Sequence, residues 1–248
     1  PCERRARPRR IRPRTPMAER PAAAEADGPP PAERASLGVM VLTHPAPASG
    51  RPLADVVAEC LDAGATAIQL RDKRASDEEL YEQAVRLVEL TRPADALLIV
   101  NDRFDVALAA GADGVHLGPD DLPVDVVRLH AGDALLIGYS TDSPVAAVLA
   151  ADAGADYLGV GAVYGTRSKR GLEHEAIGPE RVGAVLRAAG LPGVGIGGIT
   201  PDNAADVFAT GAGVAVLGAV MHAERPGDVV RRLAALVARA RSNDEREP

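Results

Sequence analysis

From Leu37 onward, short apolar runs alternate with longer segments in which apolar positions recur at helical spacing. The runs are Gly38–Leu42, Ala67–Leu70, Leu97–Val100, Gly114–Leu117, Leu135–Tyr139, Tyr157–Val160, Gly193–Ile196 and Val214–Leu217. They are too apolar for half-solvated antiparallel strands, so they predict strands of a parallel sheet buried on both faces. Helices are predicted to start near Pro52, Asp77, Arg103, Val124, Ser143, Gly178, Asp202 and Asp228. Ser76-Asp77-Glu78-Glu79 and Thr200-Pro201-Asp202 carry N-cap and first-turn chemistry. Ala63-Gly64-Ala65, Ala110-Gly111-Ala112, Ala153-Gly154-Ala155 and Thr210-Gly211-Ala212 each place a glycine where a helix must stop before the next strand. Eight strands and eight helices in strict alternation predict an α/β fold, a (β/α)8 TIM barrel over residues 37–242. A doubly wound open sheet is the structural alternative, but eight equal units without an insertion favour closure.

Residues 1–36 break this rhythm. They hold nine Arg, eight Pro and five acidic residues without hydrophobic period, which predicts a solvated, disordered extension rather than a nucleic-acid arm or a targeting peptide. Met17 within it is a candidate translation start. Residues 243–248 read as a polar tail. The formal charge of −7 is therefore composite, since an arm of +4 leaves −11 for the remainder. That balance argues against a phosphate-backbone binder. An aromatic content of 2% with no Trp argues against a base-stacking surface. No apolar run is long enough to span a bilayer, and no signal-peptide core is present, so the expectation is a cytoplasmic protein. Cys2 and Cys60 cannot build a disulfide framework or a four-thiolate metal site. Small molecules are the expected partners, with neither nucleic acid nor membrane, and a homo-oligomer stays open.

In such a barrel the chemistry sits at the C-terminal strand ends, and here the residues just past each run are polar. After the second comes Gln69-Leu70-Arg71-Asp72-Lys73, where an Arg fork and a Lys point charge suit a phosphate or pyrophosphate. A solvated charge cluster would read the same way. After the third and fourth, Asp102 and Asp121 can converge on one hard cation. Read singly, Asp102 is equally a helix cap and Asp120-Asp121 a turn. His116 lies within its strand and reads as packed rather than as a ligand. Ser140 closes the fifth run, and Tyr164-Gly165-Thr166-Arg167-Ser168-Lys169 succeeds the sixth with hydroxyls and charge for an oxyanion. Glycines at Gly195-Ile196-Gly197-Gly198 and at Gly218 come after the seventh and eighth, where barrels bind a phosphate monoester through backbone N–H groups. Of 28 basic residues only Lys73 and Lys169 are lysine. Both lie in these loops, as if a compact ammonium were needed there.

Taken in order, Gln69-Leu70-Arg71-Asp72-Lys73, Val100-Asn101-Asp102-Arg103, Gly114-Val115-His116-Leu117-Gly118-Pro119-Asp120-Asp121, Tyr164-Gly165-Thr166-Arg167-Ser168-Lys169 and Gly195-Ile196-Gly197-Gly198-Ile199-Thr200 resemble thiamine phosphate synthase. The match spans nearly all of residues 37–222. The resemblance implies a (β/α)8 barrel that joins hydroxymethylpyrimidine pyrophosphate to a thiazole phosphate and releases pyrophosphate. It implies Gln69, Arg71, Lys73, Asn101, Ser140 and Lys169 for the pyrimidine pyrophosphate, with Arg71, Lys73, Lys169 and Ser140 as the catalytic groups. It implies Asp102 and Asp121 for Mg2+, and Thr166, Ser168, Gly198, Leu217 and Gly218 for the thiazole phosphate. The chain departs from the family pattern at Pro119, commonly Gln, at Asp142, frequently His, at Ser168, frequently Thr, and at Gly218, commonly Ser. The implied chemistry needs no histidine as an essential general base. Two other readings remain beside it: a thiazole tautomerase on the same barrel, and a silent barrel that senses thiamine phosphates.

Overall fold

Eight parallel strands close on themselves in chain order: β1 (Val39–Leu42), β2 (Ala67–Leu70), β3 (Leu97–Asn101), β4 (Gly114–Leu117), β5 (Leu136–Ser140), β6 (Tyr157–Gly161), β7 (Gly193–Ile196) and β8 (Gly213–Val216). The closing pair is β1 with β8, in register Val39 to Val214. This computed structural model describes residues 37–45, 47, 50–165 and 176–244, with side chains to 240. The extension expected over 1–36 and the last four residues of the tail lie outside the described residues.

The helices are α1 (Leu53–Asp62), α2 (Asp77–Thr91), α3 (Phe104–Ala110), α4 (Val124–Ala131), α5 (Pro144–Asp152), α6 (Pro179–Ala189), α7 (Ala204–Phe208), α8 (Gly218–Met221) and α9 (Pro226–Asp244). α2 opens with the signalled capping box, in which the Glu79 N–H donates to Ser76 Oγ and the Ser76 N–H to Glu79 Oε2. Ser143 caps α5 through the Ala146 N–H, with Pro144 at the first helical position. The Ala-Gly-Ala stops behave as expected. Gly111, with φ of 70° and ψ of 33°, ends α3 in the left-handed region, which costs a residue without Cβ little.

Alternation along each strand divides the apolar side chains into two cores. Ile68 and Leu70 of β2 face outward to the layer beneath the helices, together with Leu98, Val100, Ile137 and Leu158. Ala67, Met40, Leu97, Ile99, Leu136 and Val194 fill the barrel itself. Both faces are thus covered, which is why the runs look continuously apolar in sequence. Among the described residues, no helix is long and apolar enough to cross a membrane.

Several strand ends differ from the sequence reading by one residue, and three boundaries near the C-terminus also depart from it. β8 stops at Val216, because Leu217 turns out of the strand as the cap of α8, a four-residue helix too short to show a period. α7 begins at Ala204 rather than near Asp202. There Asn203 accepts the Thr200 N–H at 2.8 Å and donates to the Gly198 carbonyl at 3.0 Å, holding 198–203 as a turn. α9 starts at Pro226, two residues ahead of the expected Asp228.

Candidate functional site

The polar groups at the C-terminal strand ends begin with β2. Gln69 is 3% exposed inside the barrel, with its amide 3.6 Å from the Met40 sulfur. Beyond it, Asp72 separates from the cluster to which sequence assigned it. Its Oδ1 accepts the Arg74 and Ala75 N–H groups at 2.9 and 3.2 Å, folding the loop into the cap of α2. Arg71 and Lys73 remain as cations at this edge, with Arg74 exposed in the same loop. Thr43, which the sequence reading passed over, is 1% exposed and receives the Arg71 N–H at 2.9 Å. It ties the end of β1 to the base of the cationic loop.

Asp102 comes after β3 in a conformation few non-glycine residues adopt, with φ of 66°. Its N–H donates to the His116 carbonyl, and the next N–H, of Arg103, reaches back to the Asn101 carbonyl, both at 2.8 Å. Arg103 itself is engaged elsewhere, with Asp105 at 2.7 Å and with Asp77. Asp121 is held by its own turn, where its Oδ2 accepts the Gly118 N–H at 2.7 Å. The Asp121 carboxyl is near enough to act on that of Asp102. Burial first, and the Asp121 carboxylate second, raise Asp102 above the usual carboxylate range, against the pull of Lys73 and Arg71. Lys73 Nζ lies 3.7 Å from Asp102 Oδ2.

Two facing carboxylates beside two cations form a site of alternating charge. The oxygen donors fit a hard divalent cation, which would relieve the repulsion that raises Asp102. Among the described residues, no group of three or more His, Cys, Asp and Glu side chains gathers. A cation held here would complete its shell with substrate oxygens and water, the habit of Mg2+.

Deeper in the barrel, His116 is buried and packed, as its strand position suggested. Its Nε2 lies 2.8 Å from Ser140 Oγ and its Nδ1 3.0 Å from the Tyr157 hydroxyl. Burial pushes the imidazole down to about 4, so the ring is neutral at physiological pH, and burial pushes the Tyr157 phenol up. Tyr157 escaped the sequence reading, although two strand glycines signalled it. A Cβ at Gly138 would lie 2.1 Å from the Tyr157 ring, and one at Gly159 would lie 2.9 Å from the His116 ring.

On the far side, β6 and β7 run on together past their ends. The Val163 and Tyr164 N–H groups donate to Ile196 and Gly197 at 2.9 and 3.0 Å. Gly198, at φ of 66°, sits so close to this loop that a Cβ would fall 2.6 Å from the Gly165 carbonyl. Only glycine fits both demands. Leu217 and Gly218 lie on the neighbouring strand end, at the start of α8. At Gly218 a Cβ would meet only the His222 ring, Nδ1 at 3.6 Å and Cε1 at 3.9 Å, so a side chain has room there.

Of the residues singled out from sequence, Gln69, Arg71, Lys73, Asn101, Asp102, Asp121, Ser140, Gly198, Leu217 and Gly218 therefore lie at or just beneath one end of the barrel. Thr166, Ser168 and Lys169 lie outside the described residues. Pro119 belongs to the Asp121 turn, and the Asp142 carbonyl accepts the Arg181 side chain at 2.8 Å, a role any residue could fill.

Residues 39–220 match the family described as thiamine monophosphate synthase. A thiamine-phosphate synthase of Natronomonas pharaonis is 50% identical over 199 residues, 79% of this chain and 93% of that protein. One of Haloarcula marismortui is 46% identical over 206 residues, 82% of this chain and 98% of that protein. Among solved structures, a thiamine phosphate pyrophosphorylase of Pyrococcus furiosus superposes with a TM-score of 0.76 at 41% identity. It covers 84% of this chain and 98% of its own.

Proposed function

The chain belongs to the thiamine monophosphate synthase family, and from that premise we propose that it couples hydroxymethylpyrimidine pyrophosphate with hydroxyethylthiazole phosphate, or its carboxylated form. The products are thiamine phosphate and pyrophosphate, with CO2 lost as well when the thiazole substrate is the carboxylated form. As a family member it is a transferase. The observation that carries the finer reading is the facing pair Asp102 and Asp121 with Lys73 at 3.7 Å. A tautomerase, which needs only a monophosphate site, has no use for paired carboxylates beside a cationic rim. A silent sensor would bind the same ligands but release no pyrophosphate.

Asp102 and Asp121 would hold Mg2+, whose positive charge counters that building on the leaving pyrophosphate. Arg71 and Lys73 approach the same oxygens from β2, and Lys169 is assigned to them from the β6 loop. The pyrimidine CH2–O bond breaks, its electron pair leaves with pyrophosphate, and the aminopyrimidine ring donates electrons to the CH2 carbon. The thiazole nitrogen then closes the new C–N bond with its lone pair. Catalysis here is stabilisation of separating charge by groups already in place, and no side chain need remove a proton. Gln69 and Asn101 orient the pyrimidine end. Gly198, Leu217 and Gly218, with Thr166 and Ser168, receive the thiazole phosphate through backbone and hydroxyl donors. Leu42, Ile99 and Ile196 form an apolar bed beneath the mouth, which limits the water that could trap the pyrimidine cation.

Pyrophosphate release, assayed with both substrates and with and without Mg2+, tests this reading. Metal-dependent release with formation of thiamine phosphate is expected. Isomerisation of the thiazole substrate without coupling would overturn it in favour of a tautomerase, and tight binding without turnover in favour of a sensor.

A further inference from the structure

Inside the barrel, Tyr157, His116 and Ser140 form a single hydrogen-bonded file that rises from the apolar interior to the end of β5. Tyr157 is 2% exposed and His116 8%, in a barrel interior filled by Leu, Ile, Val, Met and Ala together with the Gln69 side chain. Gly138 and Gly159 surrender their side-chain volume to the two rings. A phenol and an imidazole in such surroundings are costly unless each polar atom is paired.

Pairing decides where the protons sit. A neutral imidazole offers one N–H and one lone pair. Among the described residues, the Tyr157 hydroxyl has His116 Nδ1 as its hydrogen-bond partner, at 3.0 Å. If Nδ1 carried the ring proton, the buried phenol proton would have no acceptor, a loss of about 1–3 kcal/mol. The favoured arrangement has Tyr157 donating to Nδ1, which leaves the ring proton on Nε2. Nε2–H then donates to Ser140 Oγ across 2.8 Å. Ser140 already accepts from below, so its own proton is free for a group above it.

Resting on the reading that Ser140 meets the pyrimidine pyrophosphate, we propose that Tyr157 and His116 are positioning residues that hold Ser140 as a hydrogen-bond donor toward that substrate. In the opposite tautomer Ser140 would donate downward to Nε2 and present only lone pairs to an anion. The file is thus a proton-orienting support, and neither ring touches the reacting atoms.

Ring-15N-histidine NMR on the full chain reads the tautomer directly. The His116 proton is expected on Nε2, and Tyr157→Phe, which deletes only the hydroxyl, should release that preference. A wild-type spectrum with the proton on Nδ1 overturns the proposal. In steady-state assays, Tyr157→Phe should lower kcat/KM for the pyrimidine pyrophosphate about tenfold and leave KM for the thiazole phosphate unchanged. In a Ser140→Ala background the same substitution should cost nothing further, whereas additive losses would show that the ring pair does not act through Ser140. His116→Gln, with an amide N–H that can reach Ser140, should keep more activity than His116→Ala. Equal losses in folded variants would also count against the proposal. A wild type that releases no pyrophosphate would overturn the coupling reading and the substrate half of this one, and the spectrum would still decide the tautomer.

Discussion

At the closed end of the barrel, Thr66 Oγ1 accepts the Val39 N–H at 3.1 Å, Asp113 Oδ2 the Leu98 N–H at 2.8 Å, and Asp156 Oδ2 the Ile137 N–H at 2.7 Å. These residues precede β2, β4 and β6, and each satisfies an amide near the start of the strand before its own. Arg128 completes the Asp156 pairing and also donates to the Gly154 and Leu135 carbonyls, at 2.8 and 3.1 Å. At the open end, Asp102 sits at a positive φ, and burial and the Asp121 carboxyl raise it above its ordinary value. Lys73, with a side chain 63% exposed, lies beside it at the margin of ion-pair distance. Carboxylates of the same chemistry therefore do different work. At the floor they are spent on strand amides, whereas at the mouth Asp121 holds its own turn and Asp102 pairs with Lys73. Such division is the general habit of barrel enzymes, and here single residues carry it.

The largest effect that would break this comparison is expected at Asp102. Asp102→Asn should cut coupling by about 10²–10³-fold, the scale for one electrostatic contact in a preorganised site, as measured by pyrophosphate release. The same variant should melt higher than the wild type without divalent metal, by a few degrees for about 1 kcal/mol, because it removes a partly buried charge and its repulsion by Asp121. The sign with pH is fixed by the raised folded-state value. Asp102 holds its proton more tightly folded than unfolded, so its contribution to stability is fullest at low pH. That contribution is lost as pH rises through the folded-state value. Calorimetry of metal-free protein from acid to neutral pH should show this loss in the wild type and not in Asp102→Asn. Added Mg2+ should raise the melting temperature of the wild type only.

The counterpart at the floor is Asp156→Ala. It strips a strand amide and Arg128 of one partner and should destabilise by about 2 kcal/mol in denaturant titration. Below the melting transition kcat should not change. A marked fall in kcat with little loss of stability would show that the two ends are not separate in role. The smallest expected change refines the mouth alone. Gly218→Ser adds a hydroxyl where a Cβ has room, and it should lower KM for the thiazole phosphate by up to about fivefold, one neutral hydrogen bond's worth. No change would place the phosphate away from Gly218.

Much of the barrel was legible because burial on both faces writes each strand as an unbroken apolar run, and because caps such as Ser76 and Ser143 act on their own neighbours. Asp102, Asp121, Arg71 and Lys73 could be found from their places just past the ends of the apolar runs. Spacing could not reveal how those residues divide. Asp72 looks equal to its neighbours in sequence, yet its carboxylate is consumed by two backbone amides. Arg103 looks as available as Arg71, yet Asp77 and Asp105 take it. α8 stayed hidden because four residues hold barely one helical turn. Tyr157 stayed hidden because a lone aromatic at a strand start reads as core, and its meaning depends on glycines 19 residues before it and two after.

By itself, then, the sequence determined the alternation of strands and helices, the two-sided burial of the sheet and the chemical inventory of the strand ends. Those arise from period, propensity and local capping, which act within a few residues. Tertiary structure decided which carboxylate faces which, which cation remains free of the backbone, and which side chains share the barrel interior. Such contacts join residues distant in the chain, as His116 and Tyr157, 41 positions apart, show, and their energy depends on burial that exists only once the barrel has closed.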